Sequence, residues 1–470
     1  MTQFSPISIT CFKAYDVRGE LDVNLNNDIA YRIGRAFAQF LNNDNAQNPA
    51  IVVGCDIRPS SESLKKSVME GITDAGVDVI DLGMTGTEEV YFATSHFNAI
   101  GGIEVTASHN PINYNGLKMV RENSRPISAD TGLADIRKIA ECGNFTQAKK
   151  GNITPNTHKT DYIDKLMSFV DVDTFTPKKI VVNSGNGSAG PVVDELEKRL
   201  GEHIKLIKVH HTPDGSFPNG IPNPMIVANQ KATSEAVIAH GADFGVAFDG
   251  DFDRCFLFDE TGKFIEGSYI VGMLAEAFLQ KYTGESIVYD PRVIYNTQNV
   301  IKANGGVAQI SKSGHSFIKE VMRKTGAIYG GEMSAHHYFR DFAYCDSGMI
   351  PWLLVIELLS TTGKSLSDMV NGYINDFPSS GELNFRLGSL TANDIRTKLE
   401  QKYATLNPTK DTLDGLSLDF GEWRFNLRSS NTEPLIRLNV ETKGNKTLLQ
   451  NKIDEILALL HECGAVSADH

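Results

Sequence analysis

The chain has 470 residues and a formal net charge of −13; 41% of its residues are hydrophobic and 22% are charged. This length predicts about three to four domains, and the composition is typical of a soluble globular protein. The acidic charge, without any basic run, excludes nucleic acid as an expected partner.

The sequence carries no targeting or redox signature. The N-terminal segment "MTQFSPISITCFKAY" lacks the pattern of a signal peptide, and no run approaches the roughly 20 apolar residues of a membrane span. The six cysteines are scattered, without a CxxC pair or a close histidine cluster, so we interpret them as reduced thiols. We therefore expect a cytoplasmic protein with no membrane partner.

Three segments combine an apolar, β-branched run with a polar loop and a helical pattern. They begin at Ala50 ("AIVVGCDIRPSSESLKKSV"), Lys179 ("KIVVNSGNGSAGPVVDEL") and Ser286 ("SIVYDPRVIYNTQNVI"). Fully apolar strands followed by helices indicate strands that are buried on both faces, as in α/β layers. The three segments therefore predict three α/β domains of similar plan.

The C-terminal part differs from these segments. "GELNFRL" and "LSLDFGEWRFNLRSSNTEPLIRLNVETKG" are rich in predicted strands and are followed by the helical pattern "NKTLLQNKIDEILALL". This order predicts a smaller α+β domain. Polar stretches, including "KKGNITPNT" and "DFPSSGE", suggest linkers and give the expected domains 1–152, 153–260, 261–376 and 377–470.

The first stretch with chemical content is "GGIEVTASHNP", which begins at Gly101. A predicted strand leads into a turn that places Ser108 beside His109, just before Asn110 and Pro111. Asn-Pro dipeptides and serine are ordinary turn residues, so the stretch alone does not decide between a turn and a nucleophile. A nucleophilic role predicts that Ser108 lies on an exposed turn.

The second stretch, "DGDFDR", carries Asp249, Asp251 and Asp253 between two predicted strands. Carboxylates at this density repel one another unless a cation lies between them, which favours a hard divalent metal over an acidic surface turn. An EF-hand is excluded because Arg254 stands where that loop needs glycine, and because strands flank the segment. Arg254 beside the carboxylates suits a phosphoryl group.

Two later loops have polar patterns that are weaker when taken alone. In "GGEMSAHHYFRD", Glu332, Ser334 and His336 alternate along an extended or looping segment. This pattern is compatible with a loop that binds sugar hydroxyls and equally with an ordinary polar loop. In "LRSSNTEPLIRL", Arg428 leads a loop between two predicted strands, which fits either a phosphate cradle or a hairpin turn. Polar residues of that loop are Ser430, Asn431 and Thr432.

Five motifs occur in a characteristic order: "FKAYDVRG", "TASHNP", "DGDFDR", "GEMSAH" and "RSSNTEP". This order resembles the α-D-phosphohexomutase family, and within it the bacterial phosphomannomutases, over nearly the whole chain. The resemblance implies an α/β fold of four domains around a central cleft: three similar α/β domains and a smaller C-terminal α+β domain.

The resemblance also implies roles for individual residues. Ser108 would carry a phosphoryl group and complete a Mg²⁺ site with the three aspartates. Arg18 and Arg254 would steady that phosphate, and Lys118 or His109 would assist proton movement. Further residues implied to contact the substrate are Tyr15, Arg292, Lys312, Gly314, His315, Glu332, Ser334, His336, Arg428, Ser430, Asn431 and Thr432.

The implied activity is the reversible conversion of mannose 6-phosphate and mannose 1-phosphate. It would pass through phosphoserine and a hexose 1,6-bisphosphate, and would supply GDP-mannose and polysaccharide synthesis. A phosphoglucomutase, a dual-specificity mutase, a sugar phosphatase and a sugar-phosphate-binding protein are the alternatives, and a monomer or weak homo-oligomer is expected. Two departures stand out: Ala335 replaces a frequent glycine, and "GMTGTEEVYFA" replaces a proline-bearing turn.

Overall fold

The computed structural model describes residues 2–42, 49–429 and 435–468. The chain forms two compact units. The first comprises Met1–Pro224, Ala228–Lys263 and Asp341–Gly363, and the second comprises Met225–Val227, Phe264–Arg340 and Lys364–His470. Among the helices of the described residues, none has the length and apolar character needed to span a bilayer.

The N-terminal α/β domain is built on a six-stranded sheet of order β2-β6-β5-β3-β4-β8. Its strands, together with the pair β1 and β7, are β1 (Thr2–Gln3), β2 (Val17–Glu20), β3 (Ala50–Cys55), β4 (Asp78–Met84), β5 (Gly101–Val105), β6 (Tyr114–Arg121), β7 (Asn144–Phe145) and β8 (Ile153–Pro155). Its helices and the one that follows are α1 (Asn27–Leu41), α2 (Ser61–Asp74), α3 (Thr87–His96), α4 (Leu133–Cys142) and α5 (Lys159–Met167). Ile51, Val52 and Val53 are all fully buried, so β3 is covered on both faces, as its apolar run predicts.

The next domain has a four-stranded sheet of order β10-β9-β11-β12. Its elements are β9 (Lys178–Asn183), α6 (Ala189–Glu197), β10 (Ile204–Val209), α7 (Val227–His240), β11 (Phe244–Phe248) and β12 (Cys255–Phe258). The strands β9, β10 and β11 are parallel, and β12 returns antiparallel to β11. Six residues, 249–254, lie between β11 and β12; the sequence predicts a metal at this loop, and we call it the metal loop. Its strand flanks are those expected from the sequence.

The third α/β segment contributes elements to both compact units. Its elements are α8 (Gly267–Lys281), β13 (Ser286–Tyr289), α9 (Tyr295–Ala303), β14 (Val307–Ile310), α10 (His315–Thr325), β15 (Tyr329–Gly331), β16 (His337–Phe339), β17 (Cys345–Asp346), α11 (Met349–Thr362) and α12 (Leu366–Asp376). In the second unit, β13 pairs in parallel with β14 and β15, and β15 turns back into antiparallel β16. Both β17 and α11 belong to the first unit.

The C-terminal domain is an antiparallel sheet with helices, as the strand-rich pattern predicts. Its elements are β18 (Leu383–Arg386), α13 (Ala392–Tyr403), β19 (Thr409–Asp411), β20 (Leu416–Asp419), β21 (Trp423–Ser429), β22 (Leu435–Thr442), α14 (Lys446–Glu462) and β23 (Val466–Ser467). The strand order is β19-β20-β21-β22-β18-β23. Its core packs Ile395 of α13 and Ile456 of α14 against Phe425 and Leu438 of the sheet. Short 3-10 helices of the described chain, in this domain and before it, are Glu122–Ser124, Ala129–Thr131, Val172–Thr174, Arg340–Phe342 and Ala404–Leu406.

Candidate active site

Ser108 lies on the turn that follows β5, but it is not exposed. Its residue is only 3% exposed, so the expectation of an exposed turn was wrong. The backbone at Ser108 is in the left-handed region, with φ 49, and its N–H donates to the Thr106 hydroxyl at 2.8 Å. The Thr106 hydroxyl in turn donates to Asp56 Oδ2 at 2.7 Å. The turn is therefore held in a conformation that serine rarely adopts.

Arg58 is the main support of this turn, and the sequence analysis missed it. Its guanidinium donates to the carbonyl oxygens of Ser108 at 2.8 Å, Asn110 at 2.6 Å and Pro111 at 2.9 Å. Asp56 lies 3.4 Å from Arg58 Nε and balances its charge in the buried interior. The sequence feature that could have indicated Arg58 is "CDIRP", in which two opposite charges follow a predicted buried strand.

The hydroxyl of Ser108 contacts the metal loop directly. Ser108 Oγ donates to Asp249 Oδ2 at 2.7 Å and lies 2.9 Å from His109 Nδ1. Arg254 contacts both neighbours: its Nε donates to Asp249 Oδ2 at 2.8 Å, and its Nη2 contacts His109 Nδ1. Burial of the imidazole and the adjacent Arg254 charge lower the pKa of His109 to about 3. His109 is therefore neutral and presents an acceptor nitrogen.

The three aspartates of the metal loop converge as the sequence predicts. Asp249, Asp251 and Asp253 each offer one carboxylate oxygen within 4.8 Å of the others, and all three are buried. Asp249 Oδ1 and Asp251 Oδ1 are buried without a hydrogen-bond partner among the described residues. Converging carboxylate oxygens with unused lone pairs are the ligand set of a hard divalent cation, so these residues fit the metal that the motif implies.

Lys118 and Arg254 supply the positive charge that the aspartates need. Lys118 Nζ lies 2.7 Å from Asp251 Oδ2 and 2.5 Å from Asp253 Oδ2. Burial alone would lower the pKa of Lys118, but the carboxylates of Asp251 and Asp253 outweigh burial and raise it. Likewise, burial opposes ionisation of Asp249, yet the Arg254 charge holds its pKa well below the usual range.

Tyr15 and Arg18 are the other two predicted site residues in the first unit, and they lie before and within β2. Arg18 donates to Asn110 Oδ1 on the Ser108 turn and to Asp16 Oδ2, both at 2.7 Å. Tyr15 is half-buried in the segment before β2. The structure thus brings Arg18 to the same turn as Ser108, on the side of Asn110.

In the second unit, Arg292 follows β13 and is almost fully buried. Its Nε and Nη2 donate to the two carboxylate oxygens of Asp290 at 2.9 and 2.8 Å, and its Nη2 lies 3.2 Å from Ser334 Oγ. Asp290 Oδ1 also accepts from the Arg292 amide at 2.9 Å, and Asp290 Oδ2 accepts from the Met333 amide at 2.7 Å. Asp290 therefore holds both Arg292 and the loop that carries Ser334. The sequence analysis did not predict a role for Asp290.

The segment with Glu332, Ser334 and His336 is a tight turn between β15 and β16 and not an extended strand. The Glu332 N–H donates to the His336 carbonyl oxygen at 2.9 Å, and Ala335 has φ 68. Glycine adopts this left-handed backbone conformation without strain, which explains why glycine suits position 335. In this turn, the side chains of Glu332, Ser334 and His336 do not follow the two-residue alternation of a β-strand.

Glu332 is buried and serves as an acceptor within its own unit. Its Oε1 accepts from the Gly314 amide at 2.7 Å, and its Oε2 accepts from the Tyr338 hydroxyl at 2.5 Å. Gly314 has φ 122 and precedes His315, the first residue of α10. Lys312 is exposed, with its ammonium group 5.9 Å from the Phe317 ring centre. Glu332 thus connects the predicted 312–315 and 332–336 segments.

Arg428, the described residue of the predicted phosphate cradle, contacts a carboxylate that the sequence analysis missed. Glu382 Oε2 accepts from Arg428 at 3.0 Å, and Glu382 Oε1 accepts from Arg437 at 3.0 Å. Arg292 Nη1 lies 3.5 Å from the same carboxylate. Ser430, Asn431 and Thr432 lie outside the described residues. The described part of the cradle is a cluster of three arginines held by Glu382.

Family models match most of the chain. The models for phosphoglucomutase/phosphomannomutase alpha/beta/alpha domains I, II and III match residues 10–147, 160–262 and 266–377. These matches confirm the three α/β domains that the sequence predicts.

Individual relatives extend this similarity to nearly the whole chain. The chain is 56% identical over 460 residues to a phosphomannomutase of Salmonella montevideo, covering 97% of this chain and 99% of that protein. It is 52% identical over 459 residues to a protein named phosphohexose mutases from Xanthomonas campestris pv. campestris, covering 97% and 100%. A solved family structure from Burkholderia thailandensis has a TM-score of 0.85 and 31% identity, covering 98% and 99%. The resemblance drawn from the five motifs is therefore confirmed, and the chain belongs to the phosphoglucomutase/phosphomannomutase family of isomerases.

Proposed function

We propose that this chain is a phosphomannomutase, which interconverts mannose 6-phosphate and mannose 1-phosphate. A single observation carries the proposal: the hydroxyl of Ser108, on a strained turn, is hydrogen-bonded to a carboxylate of a three-aspartate cluster and lies beside His109 and Arg254. That arrangement suits a serine that receives and returns a phosphoryl group, because phosphoryl transfer depends mainly on positioning and charge neutralisation.

In the proposed cycle, phospho-Ser108 transfers its phosphoryl group to the free hydroxyl of the substrate, which becomes a hexose 1,6-bisphosphate. The bisphosphate then reorients and returns its other phosphoryl group to Ser108, which leaves the isomeric monophosphate. Each step breaks one P–O bond and forms another, and the substrate hydroxyl loses or regains a proton. No net water or cofactor is consumed, which distinguishes a mutase from a sugar phosphatase.

Mg²⁺ is the divalent cation that we propose for the metal loop. The residues that would hold it are Asp249, Asp251, Asp253 and an oxygen on Ser108. When bound, such a cation neutralises charge that develops on the transferring phosphoryl oxygens.

The chain's own groups have complementary roles in the proposal. Arg254 and Arg18 would steady the phosphate on Ser108, since each already contacts a neighbour of that residue. His109, which is neutral, would accept a hydrogen bond from the reacting hydroxyl through Nδ1, and Lys118 or His109 would assist proton movement.

In the second unit, we propose that one group of residues binds the sugar and another binds the phosphate. Glu332, Ser334 and His336 would bind hexose hydroxyls, while Arg428 with Ser430, Asn431 and Thr432 would bind the phosphate that is not transferred. Tyr15, Arg292, Lys312, Gly314 and His315 would complete the substrate contacts. The buried carboxylates Asp290 and Glu382 support this division, because they hold Arg292 and Arg428 in fixed positions.

A dual-specificity phosphohexomutase is the second candidate, and one finding favours it. The relative from Xanthomonas campestris, at 52% identity over nearly the full chain, bears the name phosphohexose mutases and not the name of a single sugar. Mannose and glucose differ only at C2, so contacts with other hydroxyls would not separate them.

We further propose a cytoplasmic enzyme that supplies GDP-mannose and polysaccharide synthesis, as a monomer or weak homo-oligomer. All six cysteines are described, and none of the six forms a disulfide bond, which supports a reducing compartment. The proposed domain limits are 1–152, 153–260, 261–376 and 377–470. The first limit falls just before β8 (Ile153–Pro155), which still belongs to the N-terminal sheet because it pairs with β4.

The test is a coupled assay on mannose 1-phosphate and glucose 1-phosphate, with a hexose 1,6-bisphosphate activator present. The unaltered chain should convert mannose 1-phosphate to mannose 6-phosphate, and intact-mass analysis should find one phosphoryl group per chain. Ser108→Ala should lose both the activity and the added mass. Release of inorganic phosphate as the main product would favour a phosphatase, and a higher kcat/KM for glucose 1-phosphate would favour a phosphoglucomutase.

A further inference from the structure

The metal loop is held on one side by the first turn of α3. The Thr87 hydroxyl donates to Asp251 Oδ2 at 2.6 Å, and the Thr87 N–H donates to the Asp251 carbonyl oxygen at 3.1 Å. A Cβ atom at Gly86 would lie 2.2 Å from the Phe252 ring, so that ring packs directly on the Gly86 backbone. This side therefore fixes both a proposed metal ligand and the loop backbone next to it.

Gly348, just before α11, holds the loop on a second side. A Cβ atom at Gly348 would lie 2.4 Å from the Phe252 carbonyl oxygen and 2.9 Å from that of Arg254. The Gly348 backbone, with φ −84 and ψ −20, is one that any residue can adopt. The close approach of the two backbones, and not the conformation of Gly348, therefore requires glycine here.

Glu88 joins these two sides. Its Oε2 accepts from the amides of Gly348 at 2.6 Å and Met349 at 3.2 Å. Its Oε1 bonds with the hydroxyls of Ser347 at 2.9 Å and Tyr162 at 2.5 Å. Glu88 is fully buried and directly follows Thr87 in the chain. One carboxyl group therefore ties the turn that holds Asp251 to the backbone that presses on Phe252 and Arg254.

We propose that Glu88 is a positioning residue for cation binding at the metal loop. By joining Thr87 to Gly348, it closes a clamp that keeps the three aspartates at the spacing a divalent cation needs. Lys118 and Arg254 offset the charge of the buried carboxylates, and the clamp adds fixed positions for the loop backbone and for Asp251. This role rests on the proposed function of the metal loop as a cation site.

Residues that orient metal ligands typically contribute about 10- to 100-fold to metal affinity. The test titrates Mn²⁺ into the EDTA-treated full chain and measures free Mn²⁺ by electron paramagnetic resonance. Thr87→Val removes the hydroxyl bond to the Asp251 carboxylate, and Glu88→Leu removes the acceptor of the Gly348 amide and one of the two acceptors of the Met349 amide. Each should weaken Mn²⁺ binding about 10- to 100-fold.

Glu88→Gln should restore the affinity, because its carbonyl oxygen can accept from both amides while its NH₂ donates to the two hydroxyls. Tyr162→Phe is the matched control: it removes one bond to Glu88 Oε1 and leaves the link to Gly348 and Met349 intact. It should lower the melting temperature and leave Mn²⁺ affinity unchanged. In the mutase assay, Glu88→Leu should lower kcat with little change in the KM of the sugar phosphate.

Gly348→Ala tests the same clamp if Glu88→Leu does not fold. Its added methyl group meets the loop carbonyls without straining the Gly348 backbone, and it should also weaken Mn²⁺ binding. Unchanged Mn²⁺ affinity in folded Glu88→Leu, or in Gly348→Ala, would overturn the clamp, as would an equal loss in Tyr162→Phe. Failure of the unaltered chain to bind Mn²⁺ would instead overturn the proposed cation site itself.

Discussion

The two units carry polar clusters that differ in how the chain assembles them. In the first unit, the three aspartates and Arg254 lie within one six-residue loop, and two of the buried carboxylate oxygens have no hydrogen-bond partner among the described residues. In the second unit, Arg292, Glu382 and Arg428 come from separate segments, and the two arginines contact the same carboxylate. The first cluster is the one for which we propose a cation, and the second is a group of arginines held by a shared carboxylate. The difference predicts that substitutions in the first unit mainly affect chemistry, while those in the second mainly affect binding.

The largest effect that tests this difference is expected in the metal loop. Asp251→Asn removes one charge of the proposed cation site and should lower kcat by about 10²- to 10³-fold, because neutralisation of the transition-state charge is lost. The KM of the sugar phosphate should change little. Steady-state kinetics measures both quantities. EDTA should inactivate the unaltered chain and Mg²⁺ should restore it; full activity of a metal-free preparation would contradict the cation site.

A somewhat smaller loss is expected when the support of the Ser108 turn is changed. Arg58→Lys keeps the positive charge but cannot reach the carbonyl oxygens of Ser108, Asn110 and Pro111 together. A misplaced reacting group typically costs about 10²-fold in rate, so kcat should fall by that order. Circular dichroism should show an intact fold. A purely structural role would instead lower stability and leave kcat of the folded fraction unchanged.

In the second unit, Arg428→Ala should act on binding. It removes a charge-assisted partner of the phosphate, a loss of roughly 1.5–3 kcal/mol in kcat/KM. Mannose and glucose phosphates should suffer alike, because the phosphate is common to both. Glu332→Ala should affect only sugars whose hydroxyls it contacts. A sharp change in the mannose-to-glucose preference of Arg428→Ala, with unchanged phosphate affinity, would show that the two roles are assigned wrongly.

The smallest effect concerns stability and pH in the first unit. Burial raises the pKa of Glu88 from 4.5 to about 8, despite its bonds with Tyr162 and Ser347. Between these two values the folded chain holds a proton that the unfolded chain releases, so this contribution to stability is present below pH 4.5 and is lost as pH rises towards 8. Glu88→Gln cannot titrate there. The melting temperature of the unaltered chain relative to Glu88→Gln should therefore fall across this range, and a constant difference would refute the shift.

The sequence predicted best what is contiguous in the chain. The strand that ends at Val105, the hairpin around Asp249–Arg254 and the C-terminal helix all follow from local patterns of apolar and polar residues. The convergence of the three aspartates could be anticipated for the same reason, because six residues between two antiparallel strands cannot separate far.

What the sequence could not predict depends on partners that are distant in the chain. Ser108 is buried, and Arg58, 50 positions earlier, holds its turn through hydrogen bonds, yet nothing in "TASHNP" indicates that residue. Glu382 likewise lies outside every motif, although it holds Arg428 across 46 positions. The turn at Ala335 was hidden because alternating polar residues fit a strand as well as a loop. Such features depend on tertiary packing, which a local pattern does not contain.

The central claim is that Ser108 passes a phosphoryl group to and from the sugar. The most direct test treats the dephosphorylated chain with hexose 1,6-bisphosphate, locates the phosphate by peptide mass spectrometry, and then adds mannose 6-phosphate. The account predicts phosphate on Ser108 alone, no phosphorylation of Ser108→Ala, and loss of the label to the sugar with formation of mannose 1-phosphate. Phosphate on another residue, or its release to water as inorganic phosphate without isomerised sugar, would contradict the account.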